Sequence, residues 1–295
     1  MKIGIFDSGF GGLSIFKSIE KKLPSYDYLY LGDNARTPYG NRSFEAIYRF
    51  TQEGIEYLFS QNCQLIIIAC NTASAKALRS IQQKDLPLHY PERRVLGIIR
   101  PSVEAIASLS IPRPFDTSTG SVNATQRPSE STSQNIVALW ATEGTVKSNS
   151  YALEMQKLAP HITLIQQACP LLVPLVEAGE WDGEGLDFFI QKYWQETLLQ
   201  SPRIDTLLLA CTHYPLIYEK IRRLLPSSLR ILTQGEIVAD SLNDYLQRHP
   251  EIENLLSQKG GRHFLTTDQT EGFDKLAQAF LGYPVLSEKA QINDF

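Results

Sequence analysis

The sequence predicts an α/β protein of two related lobes, each built on a mainly parallel sheet. Three observations carry that expectation. Short runs of Ile, Leu and Val alternate with longer amphipathic stretches, which is how strands buried on both faces by crossover helices read. A chain of 295 residues has room for two domains, each with its own core. One apolar segment is also echoed by another. LIIIACNT at 65–72 returns as TLLLACTH at 206–213, and each delivers Ala, Cys and polar residues from the end of a strand.

The elements follow in order. Residues 3–6 read as the first strand and 7–12 as a turn. Leu13, Phe16 and Ile19 then repeat at helical spacing until Pro24 breaks the pattern. A second strand is expected at 28–31. Ser43 opens an amphipathic helix with Ile47, Phe50, Ile55 and Leu58 inward, and 65–69 is the next buried strand. The helical pattern resumes over 73–81. Cys70, Asn71 and Thr72 are thereby left at a strand-to-helix junction, where open α/β sheets place ligands. Further strands are expected at 95–99, 136–140, 162–166 and 206–210, and helices near 148–157, 187–200 and 237–248. The last turns lead into a mobile C-terminal tail. The Pro-, Ser- and Thr-rich stretch at about 111–134 reads as a surface loop with the composition of a disordered segment.

Composition removes several classes of function. At 43% hydrophobic and 20% charged residues the chain is neither disordered nor fibrous. Lys and Arg number 28 against 32 Asp and Glu, a net charge of −4 without blocks of one sign, so the basic footprint of a nucleic-acid binder is missing. No apolar run approaches the roughly 20 residues of a membrane span. The N-terminus has no signal-peptide core, and a cytoplasmic protein is expected.

Four cysteines, Cys63, Cys70, Cys169 and Cys211, are too few and too scattered for a disulfide framework. None has metal-ligand spacing, so no metal site is expected. Cys63 and Cys169 read as small buried hydrophobes. Cys70 and Cys211 differ: each ends a strand and is followed by hydrogen-bonding residues at a helix start, a setting that lowers a thiol pKa and attracts anions. Two such thiols in two similar lobes fit two bases that face one carbon from opposite sides, the geometry of stereoinversion. Ser8, Asn71, Thr72 and Thr212 are suitable donors for a carboxylate that must be held while charge develops. The DSGFGG turn at 7–12 lacks both GxGxxG spacing and a Walker Lys, so a nucleotide site is a weak reading. Asp7 can cap the following helix or serve a nearby base. His213, next to Cys211, is a candidate electrostatic partner for it.

Six ordered segments then carry a resemblance over most of the chain: IGIFDSGFGGLS at 3–14, GDNARTPYG at 32–40, ACNTASA at 69–75, ATEGTVKS at 141–148, CPLLVPLVEAGE at 169–180 and LACTHYPL at 209–216. With them the chain resembles the glutamate racemases of the cofactor-independent aspartate/glutamate racemase superfamily. The resemblance implies two α/β lobes facing each other across the active site, the first (1–96 plus 214–295) discontinuous and the second spanning 97–213. It implies interconversion of L- and D-glutamate without a cofactor, supply of D-glutamate for peptidoglycan, and a homodimer. Cys70 and Cys211 become the catalytic bases, with Asp7 assisting the first and His213 and Glu177 the second. Asp7, Ser8, Tyr39, Gly40, Asn71, Thr72, Thr212 and His213 become substrate contacts, with Thr142 and Thr145 as additional ones and Pro38 shaping its loop. Three rivals stand beside this reading: an aspartate racemase, since one methylene is a modest difference for a pocket to read; a non-catalytic binding protein; and a thiol redox switch, which needs the two Cα atoms within about 7 Å.

Overall fold

The computed structural model describes residues 1–109 and 135–292; the loop expected at 111–134 lies outside the described residues. The chain opens with β1 (Lys2–Asp7), α1 (Leu13–Lys22), β2 (Tyr28–Gly32), α2 (Phe44–Ser60) and β3 (Cys63–Ile68). A helical run follows as α3 (Asn71–Lys76), α4 (Leu78–Ser80), a π-helical turn (Ile81–Asp85) and α5 (Leu86–His89), and then comes β4 (Arg94–Gly97). Pro87, which lacks an N–H, sits in the first turn of α5, and the wide turn before it absorbs the interrupted ladder.

The chain then crosses to a second sheet. Its elements are α6 (Ile99–Leu109), β5 (Ile136–Ala141), α7 (Glu143–Lys147), α8 (Ser150–Leu158), β6 (Thr163–Ala168), α9 (Leu172–Glu177), α10 (Glu184–Gln200), β7 (Thr206–Ala210), α11 (Tyr218–Leu224) and β8 (Arg230–Leu232). It returns through α12 (Gln234–Arg248) and α13 (Pro250–Glu253) to β9 (Arg262–Thr266), α14 (Thr270–Leu281) and β10 (Ser287–Lys289).

Every strand pairing is parallel. The first sheet has the order β10-β9-β2-β1-β3-β4 and the second β6-β5-β7-β8. The second sheet repeats the order of the first four strands, so the sequence echo between β3 and β7 belongs to a four-strand repeat, with a cysteine just past the third strand of each. That repeat moves the lobe boundary expected after residue 213. β8 pairs with β7 and completes the second sheet, so the chain re-enters the first lobe only at α12.

The expected C-terminal tail is likewise corrected. β9 pairs with β2, β10 pairs with β9, and the two extend the first sheet. Their sequences explain why they were missed: RHFLT holds a short apolar run, and SEK, an edge strand exposed at two of three positions, has none.

Alternation along the strands fills a core on each face of both sheets. Ile3 and Ile5 join Leu65 and Ile67 on one face of the first sheet, while Phe6, Ile66 and Ile68 face the other. In β7, Leu207 and Leu209 divide from Leu208 and Ala210 in the same way, as a period of two requires. α2 is N-capped as expected: the Ser43 side chain accepts the Ala46 N–H at 3.2 Å. Among the described residues no helix is long and apolar enough to cross a membrane.

Candidate active site

The carboxyl ends of the central strands carry the candidate residues. Asp7 ends β1 and Cys70 follows β3, while Thr142 follows β5 and Cys211 follows β7. In each sheet the two strands concerned are neighbours, so each lobe sets one thiol beside one polar residue at the end where parallel sheets bind ligands.

Hydrogen bonds between the lobes close these ends over one another. Ser14 Oγ donates to the Thr212 carbonyl at 2.9 Å, and the Gly144 N–H donates to the Gly40 carbonyl at 2.8 Å. Thr72 Oγ1 lies 2.9 Å from Thr142 Oγ1 and 3.3 Å from Thr145 Oγ1, with Thr142 and Thr145 3.0 Å apart. Three hydroxyls thus form a triangle across the cleft. The approach leaves no room for a side chain at Gly11, where a Cβ would stand 2.3 Å from Thr212 Oγ1 and 2.5 Å from His213 Nδ1. Ser8, Tyr39, Asn71, Thr72, Thr212 and His213 are all buried.

On the first lobe Cys70 is the N-cap of α3, and its sulfur accepts the Ala73 N–H at 3.4 Å. Burial pushes its thiol up to about 12 and the Asp7 carboxylate pushes the same way, against the hydrogen bonds from Ser8 and Ala73. Asp7 Oδ2 accepts the Gly9 N–H at 2.9 Å, so Asp7 braces its own turn; α1 is capped at Gly12 without a side-chain bond among the described residues. Asp7 Oδ1 is buried and has no hydrogen-bond partner among the described residues. Burial raises the Asp7 carboxyl, opposed by the charge of His213.

On the second lobe Cys211 Sγ lies 3.9 Å from His213 Nδ1, and His213 Nε2 is 3.1 Å from Glu177 Oε1 at the end of α9. Burial works to lower the imidazole pKa, but the bonds to Cys211 and Glu177 prevail and hold it up at about 10. These two bonds favour the protonated form of His213. The charges of His213 and Glu177 reach Asp7 on the other lobe, and that of Cys211 reaches Cys70. The two halves thus share one enclosure.

All four cysteines are free thiols. Cys63 opens β3 in the core of the first lobe, and Cys169 is packed behind Cys211, its carbonyl accepting the Tyr214 hydroxyl at 3.3 Å. Among the described residues no three His, Cys, Asp or Glu side chains converge to hold a metal ion. An open cavity of about 640 Å³ lies away from the thiols, past the ends of β2, β9 and β10, and is lined in part by Arg36, Phe50 and Lys289.

Two arrangements escaped the sequence reading. Asp33, fully buried after β2, accepts hydrogen bonds from the Tyr39 hydroxyl, Thr267 Oγ1 and Arg36 Nε, and so fixes the loop that carries Tyr39 and Gly40. The Asn71 carboxamide is engaged on both its oxygen and its nitrogen by Gln234 and Tyr151. A signal for Gln234 existed: it lies in line with Val238, Leu242 and Leu246 at steps of four on the buried stripe of α12, a polar residue on an apolar face.

No family model matches the chain. The glutamate racemase of Caulobacter sp. (strain K31) is 36% identical over 296 residues, which cover 98% of this chain and 100% of that relative. Among solved structures, a glutamate racemase isoform of Bacillus anthracis superposes with a TM-score of 0.81 at 28% identity, covering 98% of this chain and 97% of the other. The Francisella tularensis glutamate racemase, solved in complex with D-glutamate, gives 0.80 at 28% identity, covering 100% and 98%. Fold and relatives together define the class: the protein is an amino-acid racemase, an isomerase. The likeness to the Caulobacter enzyme runs from end to end, and the chain belongs to the glutamate racemase family.

Proposed function

We propose that the protein interconverts L- and D-glutamate by a two-thiol proton transfer at the α-carbon and supplies D-glutamate for peptidoglycan. The observation that carries the mechanism is the placement of two buried thiols past equivalent strands of two facing lobes, each with its own acidic or basic helper.

In one direction a thiolate takes the α-proton, its lone pair forming the S–H bond while the C–H pair stays on carbon as a carbanion conjugated with the carboxylate. The opposite thiol then gives its proton to the other face and is left as thiolate. No atom is gained or lost, and the protonation states of the two sulfurs have exchanged. Solvent-derived protons reset them between turnovers.

The enclosure explains how so weak a carbon acid can react. Backbone N–H groups and hydroxyls fixed before the reaction stabilise charge as it develops on the carboxylate, in a space where water does not screen them. Ser8, Thr72, Thr142, Thr145 and Thr212 supply such hydroxyls, and the triangle at the cleft can redirect its hydrogens toward an anion. Burial alone disfavours a Cys70 thiolate; the ammonium group of the substrate supplies the compensating charge on binding. His213, whose protonated form is favoured by its bonds to Cys211 and Glu177, does the same for a thiolate at Cys211.

The test is incubation with L-glutamate in D₂O, with Cys70→Ala and Cys211→Ala in parallel, following configuration and deuterium at the α-carbon. Formation of α-deuterated D-glutamate by the wild type, with inversion lost in both variants, supports the proposal. Inversion of aspartate but not glutamate moves the substrate assignment. Action on neither amino acid favours a binding protein. Rescue of a D-glutamate auxotroph tests the cell-wall role.

A further inference from the structure

We infer that Gln234 is a positioning residue for Cys70, acting through a buried amide pair with Asn71 at the place where the chain crosses between lobes. The inference rests on the two-thiol reading above and turns on Gln234, Ser102 and Tyr151, which lie outside the six motifs.

The chain crosses between lobes twice, from β4 into α6 and from β8 into α12. Gln234 is the first residue of α12, immediately after the second crossing. Its Nε2 donates toward Ser102 Oγ at 2.7 Å and Tyr151 Oη at 2.9 Å, with Asn71 Oδ1 at 3.3 Å, and its Oε1 accepts the Asn71 Nδ2–H at 2.6 Å. The Ser102 hydroxyl donates to the Ile98 carbonyl at 2.7 Å, which lies on the first crossing. The Tyr151 hydroxyl donates to Asn71 Oδ1 at 2.7 Å. Both crossings are thus tied to one side chain, Asn71, and Asn71 is the residue next to Cys70.

Every member is buried, with Gln234 at 2%, Asn71 at 3%, and Ser102 and Tyr151 at 0% exposure. A buried polar network is maintained only where its donors and acceptors are matched, because an orphaned one is costly. Here the matching fixes the first turn of α3, whose Ala73 N–H points at the Cys70 sulfur. The aim of Cys70 therefore depends on how the two lobes sit at the crossings. On the Cys211 side the side-chain partners His213 and Glu177 both lie in the same lobe as the thiol, and the bond across the lobes at Thr212 goes to its backbone carbonyl rather than through a buried side-chain network.

That one-sidedness makes the inference testable. Gln234→Leu puts an apolar side chain of similar volume in its place and removes the amide pair; Tyr151→Phe removes one hydroxyl, which donates to Asn71 and accepts from Gln234. Thermal unfolding identifies which variants fold. Turnover is then measured in both directions with α-protonated and α-deuterated L- and D-glutamate, beside Glu177→Gln as a variant of the Cys211 side. We expect kcat/KM to fall ~10- to 100-fold in Gln234→Leu, the range for misplacing a reacting group by up to about an ångström. The fall is equal in both directions, since enantiomers have equal free energy.

The α-deuterium isotope effects should diverge instead. They rise for the enantiomer deprotonated by Cys70, fall for the other, and diverge in the opposite sense from Glu177→Gln. Tyr151→Phe shows the same sense with a smaller loss, and decides the matter if Gln234→Leu does not fold. Unchanged isotope effects, or divergence in the same sense as Glu177→Gln, overturn the inference. Failure of the wild type to exchange the α-proton overturns the two-thiol reading itself, which is a separate result.

Discussion

At the scale of single residues, the helper groups set the pH behaviour. An imidazole held at about 10 against an ordinary 6.5 by its bonds to Cys211 and Glu177 means that protonated His213 contributes its full stability below pH 6.5 and loses it as pH rises through about 10. Melting temperatures between pH 6 and 10.5 should therefore fall toward the alkaline end, and Glu177→Gln should flatten that fall. An identical slope in the variant would remove Glu177 as a contributor to it. Asp7 makes the converse case. Its carboxylate opposes the Cys70 thiolate, so Asp7→Asn should lower the Cys70 pKa while still slowing turnover if Asp7 assists Cys70 as the two-thiol proposal has it. The pH dependence of Cys70 alkylation, read by peptide mass spectrometry, reports the first effect, and a thiol pKa that rises in the variant would contradict it.

At the scale of elements, the start of α7 meets the loop of Gly40 so closely that a Cβ on Gly144 would stand 2.6 Å from the Gly40 carbonyl oxygen. Backbone cannot swing aside as a side chain can. Gly144→Ala should therefore part the lobes at this point and lower kcat by ~10-fold or more with little change in melting temperature. A loss confined to stability would refute that. Deeper in the second lobe, Trp140 Nε1 donates to Thr197 Oγ1 at 3.0 Å between β5 and α10. Thr197→Val leaves that N–H buried and unpartnered, at a cost of about 1–3 kcal/mol, measurable by denaturant unfolding.

Elements were legible where burial is two-sided. The apolar runs in β1, β3, β5 and β7 stand out because both faces are covered, and Ser43 and Pro24 mark helix limits by local chemistry. Edge strands β8 and β10, and β9 beside β10, were not legible, since their pairing is decided by which strand has a free edge rather than by their own residues. The thiols were legible because a repeated strand-end pattern is a local signal. Tyr151 and Ser102 were not, because a network assembled from several helices leaves no spacing rule in one sequence; Gln234 left only the mark of a polar residue on the apolar stripe of α12.

At the scale of the whole molecule, the site is closed in the structure described here. Cys70 and Cys211 are 6% and 5% exposed, so reagents and substrates reach them only when the Gly40–Gly144, Ser14–Thr212 and threonine contacts part. Alkylation of the folded protein by iodoacetamide should label these two thiols at a rate set by that opening. Bound glutamate should slow it by ~10-fold or more if saturating ligand favours the closed form. Cys63 and Cys169, at 0% exposure, should react only on unfolding. Labelling of all four at one rate would instead mean that global unfolding, not lobe opening, admits the reagent.

The repeated strand order has one further consequence. Two identical lobes paired face to face would present identical sulfurs to the two sides of one carbon. Two lobes within one chain need not be identical. One half now keeps an aspartate beside its sulfur and the other a histidine with a glutamate, while the later strands β9 and β10 thicken only the first half. A reaction whose reactant and product are mirror images does not itself demand different helpers on its two sides. The difference is where the two directions of turnover can acquire different rates at saturation while their equilibrium stays at one.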